Sequence, residues 1–203
     1  MLVSTNLDQI TAQAITAVYS HPQHDLNLGY RQAIWAAYGS ANNYGHKKRA
    51  ILAILTAKSV LPIWNNVWHD DSTPHQILNT AEQVLNGTLD IQIARNFRDE
   101  VWTIFENKAS EQEFQSLEYQ KPINAGLAAI AALNTALYDE EFDPDNIDYN
   151  LTDADMDAYE TDSSFWAAAA YANGPIWEPM SNANKRLEFW DWWLTTAVPK
   201  ALQ

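Results

Sequence analysis

Apolar residues recur every three or four positions along most of this chain, which is the period of an amphipathic helix. Thr5 and Asp8 have the spacing of a capping box, which predicts a first helix through residues 7–18. A second, short helix is expected from about Leu28 to Tyr38. No run alternates apolar and polar residues as a half-buried strand does, so the pattern predicts an all-α protein.

The third predicted helix begins near Gly45 and is apolar on more than one face, which is typical of a central, buried helix. Pro62 is expected to kink or end this helix, because proline lacks a backbone donor and clashes with the preceding turn. The most apolar run, residues 50–64, is interrupted by Lys58 and by Pro62. Since a spanning helix needs about 20 apolar residues, no membrane association is expected.

Clear start and stop signals define the next helices. Thr73 with Pro74 and Gln76 predicts the start of a fourth helix, and Gly87 predicts its end. A fifth helix is expected over about Asp90 to Lys108.

The second half of the chain contains Ala-rich helices. Ser110 with Glu113 predicts a sixth helix, interrupted at Pro122 and resuming through residues 125–136. Small residues of this kind allow close approach between helices.

Thr152 with Asp155 predicts a helix through the Ala-rich run 165–172, and a last helix is expected from about Asn182 to Leu202. We therefore predict that residues 1–203 form a single globular domain of about seven or eight helices, arranged around central apolar and Ala-rich helices.

Acidic residues are concentrated in one segment. The net charge is −14, and residues 138–162 carry eleven Asp or Glu and no Lys or Arg. An acidic surface repels nucleic acid and anionic lipid, so neither is expected as a partner. The chain has no cysteine and shows no signal peptide at its start, and a cytoplasmic location is expected. We call residues 139–162 the acidic connector.

A calcium loop is one explanation of the acidic connector. Asp153, Asp155 and Asp157 have the spacing of the first EF-hand ligands. However, Ala158 stands where the turn glycine is needed, and Ser164 stands where the loop needs a bidentate glutamate. No calcium loop is expected.

A magnesium cluster is a second explanation. Asp139, Glu140 and Asp143 are similar to the acidic clusters with which all-α prenyl-transferring enzymes hold diphosphate through Mg²⁺. Such chemistry also needs cations for the phosphates, and no Lys or Arg occurs between Lys121 and Lys185. A small helical enzyme of this type is the alternative function.

Two further groups of residues have chemical potential. His69, Asp71 and His75 offer nitrogen and oxygen ligands to zinc, although helix capping explains this region as well. Residues 46–49, His-Lys-Lys-Arg, place cations at a helix start, where a solvated end or pairing with the acidic connector is the simpler explanation. No catalytic residue, metal ion or cofactor is expected.

Local structure accounts for some of the acidic residues. Asp153 and Asp155 fall in the first turn of a predicted helix, and Asp143 precedes Pro144 as an N-cap would. An acidic scaffold or regulatory domain with a merely solvated connector is therefore a third hypothesis.

A run without any interleaved base nevertheless favours an interaction surface, because like charges at this density repel one another. Aromatic residues are favoured as interface anchors, and several lie in the connector. The candidate partner-binding residues are Asp139, Glu140, Asp143, Asp145, Asp148, Tyr149, Asp157 and Tyr159.

Residues 48–87 resemble part of an all-α family of bacterial immunity proteins from polymorphic toxin systems. The similarity rests on a Val-Leu-Pro turn ending at Pro62 and followed by Trp64, then on the acidic pair Asp70–Asp71 and Pro74 ahead of the Ala-rich helices. This motif is architectural and contains no catalytic signature.

The resemblance implies a protein that binds a cognate toxin and neutralises it by stoichiometric inhibition, without enzymatic activity. Since nuclease toxins have basic clefts, an acidic inhibitor would associate quickly through electrostatic steering. The expected partner is therefore a basic toxin protein, bound by a monomer or a weak homo-oligomer.

Overall fold

The computed structural model describes residues 2–40, 43–140, 142–157 and 160–203, which form a single all-α domain without strands, as the sequence predicted. Eight helices of nine residues or more occur in this part of the chain: α1 Leu2–Ser20, α2 Leu28–Ala37, α3 Asn43–Val67, α4 Thr73–Leu85, α5 Ile91–Ser110, α6 Leu117–Leu137, α7 Ser163–Tyr171 and α8 Ala183–Trp192. A π-helical segment, Trp193–Ala197, and a last turn, Val198–Lys200, continue α8.

Helices α3 and α6 form the centre of the domain. Helix α3 packs against α4, α6 and α7, and α6 also contacts α5. Helices α6 and α7 pack against each other, and all the alanines of both helices are buried. Gly126 allows a similarly close approach, since a Cβ there would lie 1.9 Å from the Phe105 ring. The predicted core of apolar and Ala-rich helices is confirmed.

Two prolines do not end or interrupt their helices as the sequence predicted. Helix α3 continues through Pro62 to Val67, and α6 continues through Pro122. The segment after Pro62 is held by Trp64, whose side chain is fully buried and whose indole nitrogen donates a hydrogen bond to the Asp71 carbonyl at 2.8 Å. Tertiary contacts of this kind outweigh the loss of one helical hydrogen bond.

Several predicted helix starts are displaced. Helix α1 already begins at Leu2, and α4 has Ser72 rather than Thr73 as its N-cap. Helix α6 begins at Leu117, after the separate 3₁₀ turn Gln112–Phe114, and not at Ser110.

The capping box of Thr152 and Asp155 does form, but it caps only the 3₁₀ turn Asp153–Asp155. Helix α7 starts later, at Ser163, with Asp162 as its N-cap. A capping pattern marks a helical turn without fixing how far the helix continues.

Residues Tyr44–Val67 form a helix that is long and apolar enough to cross a membrane by length and composition, although the uninterrupted reading of the sequence covered only the shorter apolar run 50–64. Its side chains at Leu52, Ala57, Val60 and Trp64 are buried inside the domain. A central core helix has the same apolar character.

Candidate partner-binding surface

The acidic connector lies across helix α2. The backbone N–H of Gly29 donates to the Leu151 carbonyl at 3.2 Å, and the side-chain amide of Asn27 donates to the Tyr149 carbonyl at 3.1 Å. A Cβ at position 29 would lie 2.0 Å from the Asp148 carbonyl oxygen. Only glycine therefore allows the connector to approach α2 this closely.

Aromatic side chains fasten the connector to the same helix. The Tyr149 ring meets the Tyr30 ring edge-on at a centroid distance of 4.9 Å, and the Phe142 ring lies 5.3 Å from that of Trp35. Tyr149 keeps 39% of its surface exposed. Its ring consequently has a packing role on one side and an accessible edge on the other.

A fully buried arginine lies beneath the connector. The guanidinium of Arg31, on α2, pairs with the carboxylates of Asp153 and Asp162 and lies 5.6 Å from the Trp190 ring centre. Burial lowers the pKa of Arg31, but Asp153 and Asp162 more than reverse this effect and hold the arginine in its charged form. This ion cluster joins the connector to the domain core.

A second buried arginine extends the cluster towards α8. Arg186 donates to the Gly174 carbonyl at 2.5 Å and to the Ser181 hydroxyl at 2.8 Å, and it approaches Asp25 at 3.4 Å. The Trp190 indole N–H also donates to Asp25, at 3.0 Å. Asp25 thus joins the loop between α1 and α2 to helix α8.

This cluster holds three carboxylates and two guanidinium groups, so it carries excess negative charge. Burial raises the pKa of Asp153 to about 6, with further contributions from Asp162 and Asp25 and an opposing one from Arg31. Asp153 therefore binds a proton at a higher pH than an ordinary aspartate does.

The raised pKa of Asp153 predicts a pH dependence of stability. Its folded-state pKa of about 6 exceeds its ordinary value of 3.8, so the folded protein binds more protons than the unfolded chain between these values. The resulting stabilisation is complete below the unfolded pKa and is lost as the pH rises through the folded pKa. Relative to Asp153→Asn, wild type should lose on the order of 2 kcal/mol of unfolding free energy between pH 4 and pH 7, measured by urea denaturation.

Asp155→Asn provides a control of opposite sign. Hydrogen bonds from the Thr152 backbone and hydroxyl lower the pKa of Asp155 from its ordinary value of 3.8, so its contribution to stability is present above that value and is lost as the pH falls through the folded pKa. The difference between wild type and Asp155→Asn should therefore change little between pH 4 and pH 7. An unfolding free-energy difference between wild type and Asp153→Asn that stays constant from pH 4 to pH 7 would contradict the assignment.

Arg49 forms the second junction between the connector and the core. Its guanidinium pairs with Asp139 and donates to the carbonyls of Trp35, at 3.2 Å, and Gly39, at 2.9 Å. Pairing of the basic run 46–49 with the acidic connector is therefore confirmed for Arg49. Asp139, one of the candidate partner-binding residues, is directed into the protein.

Other connector residues satisfy local backbone groups. Asp143 accepts a hydrogen bond from the Asp145 N–H and caps the 3₁₀ turn Pro144–Asn146, and Asp162 caps α7. The capping role predicted for Asp143 is confirmed. Because Asp143 remains exposed, part of its carboxylate is still accessible while it caps the turn.

The remaining candidate acids lie on the outside. The exposed candidates are Glu140, Asp143, Asp145, Asp148 and Asp157. Within the residues that the structure describes, no Lys or Arg forms an ion pair with any of them. Tyr159, the last candidate, lies outside the described residues.

Sequence reasoning missed the internal partners of the connector. Nothing was inferred about Arg31, which is the main counterion of Asp153 and Asp162. The available signal was a single arginine within the apolar sequence of α2, surrounded by positions that become buried. An isolated charge on an apolar helix face indicates a buried ion pair.

The described residues contain no group of three or more His, Asp or Glu side chains arranged to hold a metal ion. In the region considered for zinc, His75 contacts the Asn65 side-chain oxygen at 3.2 Å. Asp71 accepts hydrogen bonds from the backbone N–H and the hydroxyl of Thr73. These contacts explain the polar side chains of this region as part of the start of helix α4.

The structure thus shows an all-α domain whose connector is held by internal ion pairs, with the other candidate acids that it describes exposed to solvent. The family model described as "Immunity protein Imm5" matches residues 12–200, and the chain belongs to this family of immunity proteins. Proteins of this family are non-enzymatic toxin inhibitors, which confirms the predicted family and the predicted absence of enzymatic activity. A comparison with curated proteins found no significant match.

Proposed function

We propose that this immunity protein neutralises a cognate toxin with a basic surface, such as a nuclease, by covering it with the outer side of the acidic connector. Family membership supplies toxin binding, and the charge of the connector supports the choice of a basic target. The proposed contact residues are the outward-facing Asp143, Asp145, Asp148 and Asp157, together with Tyr149.

The observation that carries this proposal is the division of the connector into two sets of carboxylates. The inward set pairs with Arg31 and Arg49, whereas the outward set has no cationic partner among the described residues. Unbalanced like charges repel each other and destabilise the free protein. A basic partner converts this repulsion into attraction and accelerates association.

The packing of Tyr149 also supports the proposal. Its ring is held in place by Tyr30, so little conformational freedom is lost when its exposed edge contacts a partner. Tyrosine is among the residues that most often anchor protein interfaces. The protein would act in the cytoplasm as a monomer or a weak homo-oligomer, with one toxin bound per chain.

Neutralising exposed acids tests the proposal. The product of the neighbouring gene, as the candidate toxin, is co-expressed with wild type or with the triple variant Asp145→Asn, Asp148→Asn and Asp157→Asn. The triple variant should bind the purified toxin about 10–100-fold more weakly at low salt, because favourable charge pairs across the interface are lost. Growth rescue should weaken in parallel.

A matched control changes the same amount of charge elsewhere. Asp8→Asn, Asp70→Asn and Glu100→Gln replace exposed acids outside the connector and should leave affinity within about threefold of wild type, by screening of distant charges. Equal losses from both triple variants would show that only net charge matters. Unchanged affinity in the connector variant would contradict the proposed surface and favour a merely solvated connector.

A further inference from the structure

A cavity opens beneath the acidic connector. It has a volume of about 470 Å³ and lies between the connector, α2, α3, α6 and the start of α7. Trp35, Phe142 and Met156 provide apolar surface in its wall. This cavity is separate from the outward-facing surface proposed above, although the same connector borders both.

Two buried hydroxyl groups that line the cavity, those of Thr56 and Ser163, already have hydrogen-bond partners. The Thr56 hydroxyl accepts a hydrogen bond from the Trp193 indole at 2.9 Å and donates to the Leu52 carbonyl at 2.7 Å. The Ser163 hydroxyl donates to the Ala53 carbonyl at 3.0 Å. The interior therefore suits an apolar stem better than a polar ligand.

Two carboxylates at the cavity, those of Glu140 and Glu160, differ from these committed groups. Neither side chain forms a hydrogen bond or an ion pair with a residue that the structure describes. Although its side chain reaches solvent, desolvation raises the pKa of Glu140, and the nearby charges of Asp162 and Glu160 raise it further against the opposing effect of Arg49. A cation arriving here would relieve this repulsion.

The arginines that line the cavity are held by other groups. Arg49 pairs with Asp139, as described above. Arg98 pairs with Asp99 at 2.6 Å and donates to the Asn134 side-chain oxygen at 2.6 Å. The negative charge at the cavity is thus directed towards an incoming ligand.

We propose that this cavity receives one lysine or arginine side chain of the bound toxin. The apolar stem of that side chain would lie against Trp35, Phe142 and Met156, and its charged end would meet Glu140 and Glu160. Long basic side chains combine these two properties, which match the apolar wall and the acidic rim. The inference rests on the proposed toxin-binding function and adds a specific anchor to the electrostatic surface.

The test combines removal of charge with filling of the cavity. Glu140→Gln with Glu160→Gln should weaken the purified complex about 10–100-fold, as expected for loss of an interface anchor. Ala53→Leu, which fills the cavity from α3 without changing charge, should weaken it as well. Circular dichroism and thermal unfolding of each variant verify that it remains folded.

Glu178→Gln is the matched charge control, because Glu178 borders a different cavity of about 510 Å³ beside α7. It should leave affinity unchanged. A double-mutant cycle then identifies the toxin residue: replacing one particular Lys or Arg of the toxin by Ala should weaken binding to wild type but have little further effect with Glu140→Gln.

The outcomes separate the two proposals. If wild type does not bind the toxin, both proposals fail. If the complex is sensitive to the exposed-acid triple variant but indifferent to the Glu140/Glu160 and Ala53→Leu variants, the anchor cavity is overturned and the outer surface stands. The anchor cavity would also be overturned if the double-mutant cycles found no Lys or Arg of the toxin whose replacement is coupled to Glu140→Gln.

Discussion

Replacing Arg31 by Met is expected to lower the free energy of unfolding by about 3–5 kcal/mol, the range for breaking a buried ion pair from one side. Arg31 is fully buried and pairs with both Asp153 and Asp162. Without it, these carboxylates repel each other in a poorly hydrated site. Urea denaturation at neutral pH measures the loss.

Lys58→Met is the matched control, since Lys58 and Glu82 form an exposed pair and such a pair contributes at most about 1 kcal/mol. Adding Asp153→Asn to Arg31→Met should recover part of the lost stability, because it removes one uncompensated charge. If Arg31→Met is no more destabilising than Lys58→Met, the connector is not held to the core by this ion cluster.

Gly29→Ala is expected to destabilise the protein by about 1–3 kcal/mol, as overpacking of a tight site does. The new methyl group would lie 2.0 Å from the Asp148 carbonyl oxygen and 2.6 Å from the Tyr149 Cα atom. Backbone atoms cannot rotate away as a flexible side chain can, so the connector must shift from α2. The shift should also break the hydrogen bond from the residue 29 N–H to the Leu151 carbonyl, which hydrogen exchange detects.

This prediction has the opposite sign to that of helix propensity, which favours Ala over Gly inside a helix by about 1 kcal/mol. Ala36→Gly, at a half-buried position of the same helix, measures how much the free energy of unfolding changes when Ala and Gly are interchanged in α2 away from the connector. Gly29→Ala with unchanged or increased stability would mean that the connector does not rest tightly on α2.

Local periodicity was sufficient to predict the helical class and the central position of α3 and α6. It failed where tertiary packing decides, as at Pro62, after which the burial of Trp64 maintains the helix. It also could not show how far a capped turn extends, and the box at Thr152 and Asp155 opens a 3₁₀ turn only. Start signals act locally, whereas helix length depends on the surface available for burial.

The candidate site was predictable in composition but not in arrangement. The excess of negative charge is visible in the sequence. Which carboxylates point inward depends on cationic partners that are distant along the chain: Arg31 lies 122 residues from Asp153 and 131 from Asp162. Such pairs follow from the three-dimensional packing of α2 under the connector. Whether the outward acids contact a toxin stays a prediction.

The most direct test of the proposed function is the association rate of the purified protein with its cognate toxin, measured by stopped-flow mixing across a salt series. Steering by Asp145, Asp148 and Asp157 predicts a rate that falls steeply as salt shortens the Debye length from about 30 Å to about 3 Å. The slope should be shallower in their triple Asn variant. A salt-independent rate, equal in both proteins, would contradict the proposal and move the interface to an apolar surface such as the exposed side chains of Trp177 and Met180.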